Sequence, residues 1–208
     1  MKQLLRLGIA VSAAVCLAVV PLASPAHAQD KPQTAPLSKE QQAMMDAVMK
    51  AATPGANHKL LASLAGNWTF TQKMWMDPAN PPTESAGTAS YTMILGGRYL
   101  RGTTKGVFMG MPFDGMSITA YDNVTRQFMS SWIDNFGTGM MYMTGQYDPA
   151  TKAISFNGDM DDPAKPGVKI KVREVLRLVD ANRHLMEWYE IRGGKNVKTM
   201  EIVYTRTK

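Results

Sequence analysis

The chain has 208 residues, 23 basic and 17 acidic, with one cysteine and three histidines. A single cysteine excludes a disulfide framework and a cysteine-built zinc site. The basic residues are scattered over alternating positions and turns, with no basic stripe interleaved with aromatics, so the formal net charge of +6 describes a solvated surface and argues against a nucleic-acid interface.

The N-terminus reads in three zones. Lys2 and Arg6 give a positive start with no acidic residue up to position 28, and Leu7 to Val20 is apolar except for Gly8 and Ser12. Pro21 ends that run, and Ala26-His27-Ala28 supplies the small-x-small pattern of a cleavage site before Gln29. The apolar run is too short for a spanning helix, which needs about 20 residues. Val15 before Cys16 argues against a lipidated cysteine. Residues 1–28 are therefore expected to be a cleavable secretory signal, sending the chain to the periplasm or beyond the cell. Cys16, Lys2 and Arg6 leave with it, so the remaining part carries 21 basic and 17 acidic residues, net +4, and has no cysteine.

Gln29–Leu37, with two prolines, reads as a leader. Ser38 with Gln41 forms a capping-box pattern ahead of a helix over Lys39–Ala52, whose Met44, Met45, Val48 and Met49 make an apolar stripe. Residues 29–54 form one unit and 55–208 the main domain. A second short helix is expected over Asn57–Ala65, stopped by Gly66. From there the period changes from 3.6 to 2. Strands are expected at Trp68–Met76, Gly87–Ile94, Tyr99–Phe108, Gly115–Tyr121, Gln127–Asp134, Met140–Tyr147, Ala153–Met160, Val168–Val179, His184–Arg192 and Val197–Arg206, with turn signals between them. Two of those turns resemble each other, Tyr121-Asp122-x-x-Thr125 and Tyr147-Asp148-x-x-Thr151. About ten closely spaced strands with no crossover helix predict an all-β, antiparallel up-and-down barrel, since closure leaves no free edge.

Leu64-Ala65-Gly66-Asn67-Trp68 resembles the opening of calycin barrels (the lipocalin and fatty-acid-binding-protein type), where a short helix leads through Gly-x-Trp into the first strand. A longer set of residues is similar to the bacterial family called domain of unknown function 1579: His58-x-x-Leu61, Gly66-x-Trp68, Gly96-Gly97-Arg98-Tyr99-Leu100, Tyr121-Asp122-Asn123 and Trp132-x-Asp134-Asn135-x-Gly137-Thr138-Gly139. The likeness spans roughly residues 55–206. It implies a calycin-like barrel and no particular activity, because fold does not carry function.

Catalytic motifs are missing. There is no Gly-x-Ser-x-Gly elbow, and the two histidines outside the signal, His58 and His184, are far apart in the chain. His58 is expected to be a surface or capping residue. Asp159-x-Asp161-Asp162 lacks the ligand ladder of a calcium loop and reads as a polar hairpin. No cofactor is implied; the resemblance to small calycin-like barrels leaves haem through His184 open, and the residue types leave copper(I) open through the pairs Met74-x-Met76, Met109-x-Met111 and Met141-x-Met143. Methionine also fills adaptable cores and lines pockets without metal.

The most informative signal is charge on faces the period marks as apolar. Glu174 shares a side with Val168, Ile170, Val172 and Leu176; Glu187 shares one with Leu185, Tyr189 and Ile191; Arg101 is in phase with Tyr99; Gln72 is in phase with Trp68 and Phe70. Inside a hollow barrel such groups would be the few polar contacts of an apolar pocket; an internal ion pair or a bulge would explain them equally well. The expected lining is Trp68, Phe70, Met74, Arg101, Trp132, Met141, Met143, Glu174, Glu187 and Tyr189, around a small apolar or amphipathic ligand. Two other functions remain open at this point. One is a barrel enzyme using an interior carboxylate; the other is a filled barrel whose methionine-rich helix docks on a partner. The Trp132–Gly139 segment reads as a hairpin, with a gate at the barrel mouth as the alternative.

Overall fold

A computed structural model describes residues 37–207. The signal read over 1–28 and nearly all of the leader lie outside the described residues. Two helices, α1 (Lys39–Ala52) and α2 (Ala56–Ala62), precede ten strands: β1 (Gly66–Met74), β2 (Thr83–Ile94), β3 (Tyr99–Phe108), β4 (Met111–Asp122), β5 (Gln127–Asp134), β6 (Met141–Asp148), β7 (Ala153–Asp161), β8 (Lys169–Asp180), β9 (Arg183–Arg192) and β10 (Lys195–Arg206). Every strand pairs antiparallel with its chain neighbour, and β1 pairs with β10 to close the barrel. Among the described residues no helix is long and apolar enough to cross a membrane.

The alternation that makes these strands also sorts their side chains. On β1, Trp68 and Phe70 are buried and Gln72 and Met74 half-buried, while Asn67, Thr69, Thr71 and Lys73 are exposed. On β7, Ile154 and Phe156 are buried while Asn157, Asp159 and Asp161 are exposed. Exposed acids on β7 meet lysines of β8 on the outer surface: Asp161 with Lys169 at 2.6 Å and Asp159 with Lys171 at 3.6 Å. The acidic run of that hairpin is thus an ion-paired outer face.

One end of the barrel is closed by α2. Leu61 is fully buried and Leu64 is 4% exposed, and both pack on Leu100, Phe128, Met143, Ile154, Phe156 and Val172. His58 starts this helix: the Gly55 backbone N–H donates to its Nδ1 at 3.0 Å, so the residue is a cap, buried at 5% exposure instead of lying on the surface. The turn from α2 into β1 needs Gly66, whose φ is +134 and whose missing Cβ leaves room for the Arg206 guanidinium. Arg206 lies 4.1 Å over the Trp68 ring and donates to three carbonyls, Ser63 at 2.8 Å, Ala65 at 2.6 Å and Ala181 at 2.9 Å. Trp68 Nε1 in turn donates to the Leu64 carbonyl at 2.9 Å.

The two similar turns have the same geometry at this end. Asp122 accepts from Val124 N at 2.9 Å and from Thr125 Oγ1 at 2.7 Å; Asp148 accepts from Ala150 N at 2.9 Å and Thr151 Oγ1 at 2.8 Å. These bonds hold both carboxyls below the usual range, chiefly through the Val124 amide for Asp122 and the Thr151 hydroxyl for Asp148. Helix α1 is tied to the first of these turns by Asn123 Nδ2, which donates to the Ala51 and Thr53 carbonyls at 2.9 Å each. Its stripe of Met44, Met45, Val48 and Met49 is exposed among the described residues.

Candidate functional site

The opposite end is open, and the barrel is hollow. A cavity of about 560 Å³ runs inward from the β1–β2, β3–β4, β5–β6 and β9–β10 ends, with Phe70, Tyr91, Met143, His184 and Tyr204 among its inner wall. A barrel filled by its own side chains is thereby ruled out for this fold. The room comes from small residues. Gly87 faces Phe70 across the β1–β2 ladder and Gly115 lies beneath the Trp132 ring, and a Cβ at either position would run into those rings. Ser117, Thr119, Ser130 and Thr104 also face the space.

Of the residues expected inside, Phe70, Met74, Trp132, Met141, Met143 and Glu174 line the cavity. Trp68 points inward as well but sits below it, in the closed-end core at 2% exposure. Three expectations are corrected. Arg101 is on the outer surface, opposite Thr92 and Ile118. Strand β3 turns Leu100, Gly102 and Thr104 inward, and a face written in glycine and threonine does not announce itself as the core side. Glu187 and Tyr189 also face outward. Glu187 meets Lys198 at 3.3 Å, Lys198 meets Glu201 at 2.6 Å, and Tyr189 hydrogen-bonds Glu187. The inner face of β9 is His184, Met186, Trp188, Glu190 and Arg192. Both faces of that strand carry apolar residues, so alternation alone gives its phase without its side.

At the mouth, four rings form a cluster. Phe113 stacks on Trp132 with centroids 6.2 Å apart, and Phe136 meets Phe108 edge-on at 4.9 Å. The Trp132–Gly139 segment holds this cluster by turn bonds. Trp132 Nε1 donates to Asp134 Oδ2 at 2.7 Å, the Phe136 amide donates to Asp134 Oδ1 at 2.9 Å, and Asn135 Nδ2 donates to the Pro112 carbonyl at 3.0 Å. The segment is therefore both the hairpin and part of the rim. Methionines extend that rim: Met74, Met141 and Met160 line the cavity near its opening, while Met76, Met109, Met111 and Met140 are exposed.

The polar groups of the inner wall were only partly foreseen. Glu174 faces Trp188 on β9 and Phe156 on β7 in register. It makes no hydrogen bond or ion pair among the described residues, and burial raises its carboxyl from 4.5 to about 7. Tyr91 and Tyr204 lie close enough to feel its charge, and their hydroxyls hydrogen-bond to each other; burial pushes Tyr91 up to about 12. His184, 1% exposed, stacks on Tyr204 at 4.3 Å and meets Trp68 edge-on at 4.4 Å. Its Nδ1 has no partner, and burial followed by the Arg206 charge lowers the imidazole to about 3. Tyr91, Tyr204, Trp188 and Met186 were missed in the sequence; the phase of His184 with Met186 and Trp188 is the one signal that could have found part of this wall. Among the described residues no group of three or more His, Cys, Asp or Glu side chains is placed to hold a metal ion.

A closed ten-stranded antiparallel barrel with a helical plug at one end and an apolar cavity at the other defines a calycin-like protein. The chain belongs to the family described as protein of unknown function DUF1579, whose pattern matches residues 53–206. Among solved structures it is similar to Rv2717c from M. tuberculosis, at TM-score 0.53 and 15% identity over 75% of this chain and 100% of that one. It is also similar to the S-type phycobiliprotein lyase CPES from Guillardia theta, at TM-score 0.51 and 10% identity over 77% of this chain and 97% of the other. At these identities the likeness is one of fold. Comparison with curated proteins finds no match.

Proposed function

We propose that this is an exported binding protein that holds one small apolar or amphipathic ligand inside the barrel. The observation that carries this reading is the cavity of about 560 Å³, walled by rings and methionines and reached through an apolar rim. Its size falls in the range of pockets that enclose small molecules. Release of ordered water and burial of ligand surface supply the driving force, at about 25 cal/mol per Å² of apolar area. Trp132 and Trp188 line the space, so their emission reports on occupancy. Titration with the neutral probe Nile red is expected to saturate at one site per chain and to change tryptophan emission. Ser130→Phe, which fills the cavity from the β5 wall, should abolish that binding while the barrel remains folded. Saturable one-site binding that survives this filling would place the probe elsewhere and end the proposal.

A second reading rests on Glu174 itself. A carboxyl that burial raises to about 7 on the wall of an apolar pocket is suited to general acid or base work on a bound molecule. Turnover of a bound small molecule that disappears in Glu174→Gln, with binding retained, would support the enzyme reading; turnover unchanged in that variant removes the assignment.

A further inference from the structure

The cavity has a sign. The charged side chains in its lining are three carboxylates, Asp134, Glu174 and Glu190, and one guanidinium, Arg192. Arg192 is already neutralised: its Nη2 lies 2.8 Å from Glu190 Oε2, and its Nε donates to the same oxygen at 2.9 Å. Asp134 is held at the rim by the Trp132 indole and the Phe136 amide. Glu174 alone, deepest of the three, has neither a cation nor a donor. A protein whose formal net charge is +6 thus keeps a net acidic interior, with its one unpaired carboxyl on the apolar wall.

The surroundings of that carboxyl are aromatic. Trp188 and Phe156 flank it on the two neighbouring strands, at the separation of directly opposed side chains on one sheet face. Tyr91 and Tyr204 are near enough to sense its charge. An uncompensated carboxyl in a low-dielectric site is costly, and a ligand that brings the opposite charge removes that cost. Aromatic faces attract cations through their quadrupoles. A fatty-acid carboxylate or another anion would meet the wrong sign, with no free cation in the lining to receive it.

We infer that the ligand is an organic cation: an apolar body carrying an amine, whose ammonium pairs with Glu174 beside Trp188 and the Tyr91–Tyr204 pair. The inference rests on the binding role proposed above and names the class of molecule that role serves. The apolar body lies against Phe70, Met143 and Met186, and the chain end points to the methionine rim.

Three probes that share one apolar body separate the possibilities: decylamine, decanol and decanoate, titrated near neutral pH and followed by tryptophan emission and calorimetry. Decylamine is expected to bind at least about tenfold more tightly than either of the others, a difference of roughly 1.4 kcal/mol. In Glu174→Gln the amine should fall to the level of the alcohol, while decanol affinity stays as it was. Trp188→Leu should weaken the amine more than the alcohol. The basic outer surface favours the anion, so an amine preference reports on the interior alone. Decanol or decanoate binding as tightly as the amine, or an amine preference that persists in Glu174→Gln, overturns the inference and leaves the binding role standing. Failure of all three probes to bind a folded protein defeats the binding role and this inference with it.

Discussion

Arg206 joins parts of the chain that lie far apart in sequence. Its guanidinium covers Trp68 and satisfies the carbonyls that end α2 and one from the β8–β9 turn. Those carbonyls sit at a helix end, where backbone acceptors lack intrahelical partners. Hydrogen bonds from a charged donor and the ring contact together support a cost of about 2–4 kcal/mol for Arg206→Ala, read as a lower midpoint in urea unfolding. Arg206→Lys should recover little, because a compact ammonium cannot span three carbonyls in a plane. A lysine variant as stable as the parent would show that charge alone, without the fork, does this work.

Two buried groups set opposite pH dependences. The neutral imidazole of His184, lowered from 6.5 to about 3, must gain a proton on acid unfolding, so its contribution is complete above 6.5 and is lost as pH falls toward 3. Glu174, raised from 4.5 to about 7, takes up a proton on folding, so stability from this group is lost as pH rises from 4.5 toward 7. Each slope is roughly 1.4 kcal/mol per pH unit. Replacing Glu174 by Gln removes only the second. The melting temperature of that variant relative to the parent is therefore expected to climb across pH 4.5 to 7 and to level off beyond; a difference that is constant across that window would mean the carboxyl is solvated in the folded protein.

At the scale of the elements, α2 acts as a stopper. Its Leu61 is fully buried among residues from several strands, so Leu61→Ala leaves a void at the closed end and should cost about 2–5 kcal/mol, seen as a lower melting temperature. The two helices and the strand order were legible from the sequence because amphipathic period and turn chemistry are local properties. Lys39–Ala52 agrees residue for residue, while β2 and β4 run further, to Thr83 and Met111, than their expected starts at Gly87 and Gly115. Serine, proline and acidic residues in those extensions carry little strand signal, and ladder bonds to β1 and β3 override it. Which face of a strand is inner was legible only where one face is plainly polar. On β8 the lysine and arginine positions declare the outside, and Glu174 is placed correctly in the wall. On β3 the inner face is written largely in glycine and threonine while Tyr99 lies on the outer one, and on β9 the outer face carries Leu185, Tyr189 and Ile191 against Met186 and Trp188 on the inner, so alternation alone does not place Arg101, Glu187 and Tyr189 outside.

For the whole molecule, destination follows from the N-terminal pattern and not from the barrel. We propose export through residues 1–28. Expression of the full chain should yield a processed product beginning at Gln29 outside the cytoplasm, identified by N-terminal sequencing. Recovery of the unprocessed chain from the cytoplasm in a host with working secretion would remove that proposal. The interior and the destination are independent, so the ligand experiments stand either way.

Ring closure has a kinetic side. Nine of the ten ladders join strands that follow one another in the chain, and each can form as a hairpin soon after its residues meet; only the β1–β10 seam connects the two ends. A chain emerging N-terminus first therefore holds β1 with one edge unsatisfied until β10 arrives, and the entropy of closing that long loop falls on a single step. Trp68 and Arg206, partners across that seam, meet only then, which makes their contact a latch set late in folding and places its effect on the rate of unfolding more than on the rate of folding.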